Sequence, residues 1–302
     1  MSLLWRLGSL LGLLAVGVGA RQVGLLDERR TRWLTALAFY VALPALVFGA
    51  TYDQRAGTLV SPALVVGVTA VFATMAGVAW AVHRRHPTRA RRSVAIVQSY
   101  HSNLGFLGVP LVAATLGEAA TAVASVVLGI SLLLQVPLTV VALVGINEAD
   151  ASVRVELAAL ARNPVLLALA AGLAAAAVDL AVPAAVDGAL GVLGALALPV
   201  ALLGVGASLR VDLADLDAGA TGSVVALKVG LMPAVAWAVF SVLAVSRAAF
   251  AATVLLFGMP SAVSTYVYAS ELGGDARFAS VNVFTTTVAS LVTIAVILQV
   301  VG

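Results

Sequence analysis

The residue types that usually carry catalysis are scarce in this chain. It has no cysteine and only three histidines, His83, His86 and His101, which show no HExxH or other metal-ligand spacing. A GxSxG nucleophile motif is absent, and Gly204-Val205-Gly206 lacks the third glycine of a dinucleotide loop. What remains is polar but neutral. Gly108-Val109-Pro110 follows Gln98, Ser99, Tyr100, His101, Ser102 and Asn103. Gly258-Met259-Pro260 precedes Ser261, Ser264, Thr265, Tyr266, Tyr268 and Ser270. Lys228 stands alone inside an apolar run. Amides, hydroxyls and one amine suit the binding of an anion rather than bond cleavage.

The elements that hold these residues must live in lipid. The chain has 302 residues, 62% hydrophobic and 10% charged, with a mean hydropathy of +1.10. Soluble domains carry about 25% charged residues, so a water-facing globule, a disordered tail and a nucleic-acid-binding module are excluded. The pI near 9.7 rests on a net charge of only +3. Ten apolar windows predict helices at roughly 3–20, 32–52, 59–82, 93–115, 120–144, 164–182, 186–208, 221–244, 247–270 and 277–301. Their runs are apolar all round, which excludes the alternation of a membrane β-barrel. Val16–Ala20 ends in small residues like a signal peptide, but Arg6 interrupts its apolar run. Gly8-x-x-x-Gly12 is a weak packing signal in so glycine-rich a chain.

Alternating loops segregate the charge. Arg21, Arg29, Arg30, Arg32, Arg84, Arg85, Arg89, Arg91, Arg92, Arg154, Arg162, Arg210 and Arg277 fall on one side, and Arg6, Arg55 and Arg247 on the other. The positive-inside rule predicts both termini outside and a short cytoplasmic loop at 146–163.

The chain also resembles itself. Ala42-Leu43-Pro44 matches Ala197-Leu198-Pro199, and Gly108-Val109-Pro110 matches Gly258-Met259-Pro260. Leu116-Gly117-Glu118-Ala119 matches Leu272-Gly273-Gly274-Asp275-Ala276. Matching windows lie five helices apart, and an odd separation inverts one half against the other. The expectation is an all-α integral membrane fold of ten helices in a 5+5 inverted repeat, 1–145 and 164–302. Helices four and nine are broken at the Gly-x-Pro sites. Pro62, Pro137 and Pro233 are expected to be simple kinks.

The stretch Ser102-Asn103-Leu104-Gly105-Phe106-Leu107-Gly108-Val109-Pro110-Leu111 resembles the fourth-helix motif of the auxin efflux carrier family, also called the membrane transport protein family. Leu25-Leu26-Asp27, Phe39-Tyr40-Val41-Ala42-Leu43-Pro44-Ala45-Leu46, Asn163-Pro164, Leu198–Leu202 with Gly206-Ala207, and Pro260 through Gly273-Gly274-Asp275 are similar in the same order. The resemblance implies a prokaryotic member with the fold of bile-acid symporters and sodium/proton antiporters. Helices one, two, six and seven would form a scaffold, and three to five with eight to ten a transport domain. It also implies an organic-anion carrier, probed first with carboxylates, and allows a homodimer through the scaffold.

Asn103 is the leading candidate ligand, grouped with Gly108, Pro110, Gly258, Pro260, Ser261 and Ser264 at the expected crossing. Ser99, His101, Gln135 and Lys228 are further candidate ion or substrate ligands. Ser131, Thr285–Thr287 and Ser290 are candidates to flank the site. No acid lies in mid-span; Glu118, Glu271 and Asp275 are near ends. That disfavours a proton antiporter. Two readings stay open: export of a small organic anion from the cytoplasm, and sodium-coupled uptake of an organic or bile-acid-like anion. A membrane enzyme and a non-transporting receptor have no motif in their favour. No cofactor or nucleic-acid partner is expected, with Na+ the one candidate coupling ion.

Overall fold

The computed structural model describes residues 3–54, 59–150, 152–208 and 217–301, with side chains from Gly12 onward except Glu156. Arg55 and Arg210, and the side chain of Arg6, lie outside the described residues. The described residues are 82% helical and include no strand. In chain order the helices are α1 Leu3–Gln22, α2 Glu28–Thr51, α3 Pro62–His83, α4 Arg89–Gln98, α5 Leu104–Leu116, α6 Glu118–Asn147 and α7 Val153–Leu160. They continue as α8 Pro164–Ala177, α9 Ala184–Ser208, α10 Ala218–Val242, α11 Arg247–Phe257, α12 Ser264–Glu271 and α13 Ala276–Val301. Six of them, α2, α3, α6, α9, α10 and α13, are each long and apolar enough to cross a membrane. α5 and α11 are shorter apolar helices.

The starts are written in the sequence. Asp27, Ser61, Asn163, Asp217 and Ser246 each accept a backbone N–H of the first turn of the helix they precede. Pro62 and Pro164 sit just inside two of those starts, where a missing N–H costs nothing. Pro62 therefore opens a helix and kinks none. Pro137 lies within the continuous α6.

Three other prolines share one device. Pro44, Pro110 and Pro233 each follow a widened π-turn, at Ala38–Ala42, Leu104–Gly108 and Ala226–Leu231. The residue just before each proline closes a bond five residues back: Leu43 to Ala38, Val109 to Leu104 and Met232 to Leu227. A proline cannot donate to the carbonyl four residues back and its ring crowds that turn. The extra residue in the turn makes room while the helix continues.

Two packing groups result. In the first, α1 lies along the second half of α9, and α2 packs on α8 and α9. Glycine sets the spacing. A Cβ on Gly206 would stand 2.3 Å from the Leu14 carbonyl oxygen, and one on Gly17 would stand 2.5 Å from that of Leu203. Gly12 has no atom within 4 Å of that position, so the contact runs through Gly17 and Gly206. In the second group, α3, α4 to α6 and α10 to α13 surround a core containing Phe72, Tyr100, Leu128, Phe257 and Phe278. Apolar residues such as Leu133, Val141 and Val292 face outward, as lipid-facing surface does.

Polar contacts tie the loops at one end. Arg91 bonds Asp275 at 2.9 Å and reaches Asp217 at 3.8 Å. The Asn147 amide donates to the Leu272 carbonyl, and Arg89 pairs with Glu148. The Ala220 N–H, with His86 and Arg91, holds the Asp217 carboxyl below its ordinary range against the effect of burial. At the other end, Tyr52 donates to Asp187 at 2.8 Å, joining the ends of α2 and α9.

The glycine contact makes the first prediction. Gly206→Val should destabilise the detergent-solubilised protein by about 1–3 kcal/mol in thermal unfolding, whereas Gly12→Val should leave it unchanged. Equal melting temperatures for both variants would contradict the α1–α9 packing.

Candidate binding site at a helix crossing

The sequence marks its polar residues as neighbours of two helix breaks, and the structure shows how the breaks fit together. α4 stops at Gln98 and α5 begins at Leu104, leaving Ser99–Asn103 non-helical. α11 stops at Phe257 and α12 begins at Ser264, leaving Gly258–Val263. These two segments pass each other antiparallel. The Asn103 N–H donates to the Pro260 carbonyl at 2.8 Å, and the Ala262 N–H to the His101 carbonyl at 3.1 Å, with Ser102 opposite Ser261. Each break thus supplies the hydrogen-bond partners that the other has lost.

One expectation is corrected here. Gly258-Met259-Pro260 is the second break, but Gly108-Val109-Pro110 is not the first. Gly108 ends a π-turn and Pro110 lies in the first turn beyond it, both inside α5. The break falls earlier because the Ser102 and Asn103 N–H groups find partners outside the helix, in Gln135 and Pro260, while the π-turn lets the helix pass Pro110 intact. The partner of Ser261 is Ser102, not a residue of the Gly-x-Pro motif.

Neighbouring helices complete the crossing. The Ser102 N–H donates to Gln135 Oε1 of α6 at 3.1 Å, and Gln135 Nε2 donates back to the Ser102 carbonyl at 3.4 Å. On the other side the Ser261 N–H donates to Thr286 Oγ1 of α13 at 3.2 Å. Ser261 Oγ donates to the Gln98 carbonyl at 2.7 Å, covering the end of α4. The Gln98 side chain donates to Thr265 Oγ1 and the Ala279 carbonyl and accepts from Asn282 Nδ2, each at 2.9 Å. Asn282, which sequence reasoning missed, is fully buried, and its Oδ1 has no partner among the described residues. An asparagine within an otherwise apolar window was the available signal.

A cavity of about 830 Å³ opens beside the crossing. His101, Asn103, Gln135, Ser264, Tyr268 and Arg162 supply its polar wall, and Phe39, Tyr40 and Leu128 belong to its apolar wall. No carboxylate among the described residues lines it. Asn103 occupies the cap position of α5, yet its carboxamide caps nothing and makes no hydrogen bond among the described residues. The first N–H groups of α5 have no carbonyl of their own helix to bond, and Gly105 and Phe106 from that turn also line the cavity. His101 Nδ1 is engaged with Thr139 Oγ1 at 2.8 Å. Arg162, which the sequence marked only as a loop charge, belongs to this wall.

Other candidates stand apart. Ser99 Oγ donates to the Ala95 carbonyl and contacts His83, away from the cavity. Gly258, Pro260 and Ser261 are buried in the crossing itself. Ser131 is buried without a partner among the described residues, while Thr285, Thr286, Thr287 and Ser290 bond to carbonyls of their own helix. Pro110 lines a second cavity, of about 620 Å³, whose wall includes Asp53, Glu118 and Asp187. The two cavities lie towards opposite ends of α2 and α5. Lys228 lies outside both cavities and is fully buried. Its Nζ donates to the Met259 carbonyl at 2.7 Å and the Phe257 carbonyl at 3.4 Å, with Met232 Sδ at 3.3 Å.

Apolar helices arranged around two interrupted ones, with a half-polar cavity where these meet, define a multi-pass membrane protein of the transporter class. A family model described as "Membrane transport protein" matches residues 7–298, nearly the whole chain, and the chain belongs to that family. No curated protein matches it.

The Gln135 contacts are testable. Gln135→Leu strands the buried Ser102 N–H, which should cost about 1–3 kcal/mol in thermal unfolding. A variant as stable as the parent would mean that the backbone pair alone holds the break.

Proposed function

We propose that this transporter moves a small organic anion, such as a carboxylate, across the cytoplasmic membrane by alternating access of an elevator type, in the direction of export. The observation that carries this reading is the Asn103 carboxamide, unpartnered among the described residues, at the start of a half-helix in a cavity that no carboxylate among those residues lines. Such a carboxamide offers donor and acceptor together. The adjoining N–H groups and the positive end of the α5 dipole favour negative charge. Arg162 in the wall attracts the same charge.

In this reading the chain crosses ten times, with 1–145 and 164–302 as inverted repeats, the short loop 146–163 in the cytoplasm and both termini outside. Two features support it. Ser102 leans on Gln135 of α6 and Ser261 on Thr286 of α13, so corresponding helices of the two halves brace corresponding breaks. The loops predicted to be cytoplasmic also meet through Arg91, Asp217, Asp275 and Asn147. α1, α2, α8 and α9 act as the scaffold, and the remaining long helices carry the crossing. Substrate enters from the Arg162 side. The opposite cavity, with Asp53, Glu118 and Asp187, repels an anion and favours its release. An inside-negative potential drives anion export by about 2.3 kcal/mol per charge per 100 mV. Nothing in this arrangement calls for catalysis.

Purified protein in liposomes should show carboxylate binding and flux. Asn103→Ala should weaken binding by about 10- to 100-fold, the loss of a hydrogen bond to a charged ligand. Unchanged affinity and flux in Asn103→Ala would remove Asn103 from the site. Flux that requires external sodium would replace export with sodium-coupled uptake.

A further inference from the structure

α11 ends inside the membrane, where its last carbonyls have no N–H of their own helix to accept. The negative end of its dipole is concentrated there. Pro260 adds no donor, and its carbonyl is already taken by Asn103. The Phe257 and Met259 carbonyls are left converging on one point, and that point holds Lys228 Nζ, with Met232 Sδ closing a further side. Lys228 is 0% exposed, and no ion pair among the described residues includes it. A buried cation without a carboxylate must be held by dipoles. Here they are the two carbonyls that the helix break has set free.

The position also separates Lys228 from substrate. It reaches the crossing from α10, and it lines neither cavity. Two converging main-chain oxygens at an interrupted membrane helix are also the kind of environment that binds an alkali cation in secondary transporters. We infer that the Lys228 ammonium is a resident cation, covalently held in a carbonyl site at the end of α11 and occupying the place that a coupling cation would otherwise fill. The inference deepens the carrier reading. With its own ammonium in place, the crossing needs no sodium to be neutralised, and binding of the organic anion proceeds without a co-ion.

The test is a thermal-shift titration of purified protein in detergent, which reads the cation site whether or not a substrate is known. Wild type should show the same melting temperature in sodium chloride and in choline chloride at equal ionic strength. Lys228→Ala should melt roughly 5 °C lower. n-Propylammonium, which restores the missing stem and amine, should recover much of that loss, and sodium a part of it. Choline, too large for the site, should recover none. A sodium-dependent rise in the wild type would overturn the inference, because the site would then still accept an external cation. So would a Lys228→Ala protein that melts at the wild-type temperature, or one that neither propylammonium nor sodium rescues. If Lys228→Ala does not fold, the sodium and choline comparison on wild type still decides. Failure to find carboxylate flux would count against the carrier reading alone, since none of these measurements uses a substrate.

Discussion

Two main-chain hydrogen bonds, Asn103 to Pro260 and Ala262 to His101, are the constraint on which the rest of this molecule depends. In hydrocarbon no water is available to satisfy an interrupted helix, and an unmet backbone group there costs several kcal/mol. A single broken helix would therefore be poorly tolerated. Two that cross repair each other, and each needs only a few side chains to finish the accounting. Gln135 and Thr286 serve the N–H groups of Ser102 and Ser261, Ser261 Oγ serves the end of α4, and Lys228 serves the end of α11. Elsewhere α1 and α9 pack closely through Gly17 and Gly206.

That repair leaves a controlled surplus. Asn103 and the first turn of α5 line the cavity, so binding capacity arises where the backbone was broken. The charges around it are asymmetric: Arg162 lies in the wall of one cavity, and Asp53, Glu118 and Asp187 in the wall of the other. The only cation among the buried polar residues, Lys228, belongs to the frame and not to the cavity. A membrane transport protein built in this way offers an anion a donor-rich pocket with Arg162 in its wall and no carboxylate among the described lining residues.

Much of the fold was legible because lipid leaves few choices. Apolar windows located most of the helices to within several residues, although α7 lies in the stretch 146–163 read as a loop, and Ser, Asp and Asn caps marked several of the starts. The polar run at Gln98–Asn103 overlaps the first break, and Asn103, His101, Gln135 and Ser264 line one cavity. The prolines misled in part. A proline in a helix can be absorbed by a π-turn or can mark a true break, and the choice depends on whether a crossing segment waits to pair with the freed backbone. That is a long-range fact, so the window around Pro110 looked the same as that around Pro260. The Gly17–Gly206 contact was hidden for a similar reason: Gly8 and Gly12 formed the better local motif, while the partner of Gly17 lies on α9. Arg162 and Asn282 were passed over because a loop arginine reads as topology and a lone asparagine as interhelical bonding.

The crossing can be measured directly because the natural chain has no cysteine. Opposed residues flanked by the two bonds observed here have Cα atoms about 4.5 Å apart, within reach of a disulfide. Ser102→Cys with Ser261→Cys should therefore form an intramolecular disulfide on mild oxidation in the membrane, read as a mobility shift after cleavage between the two halves. No cross-link in that pair, with efficient cross-linking of Pro110→Cys to Pro260→Cys instead, would contradict the crossing described here.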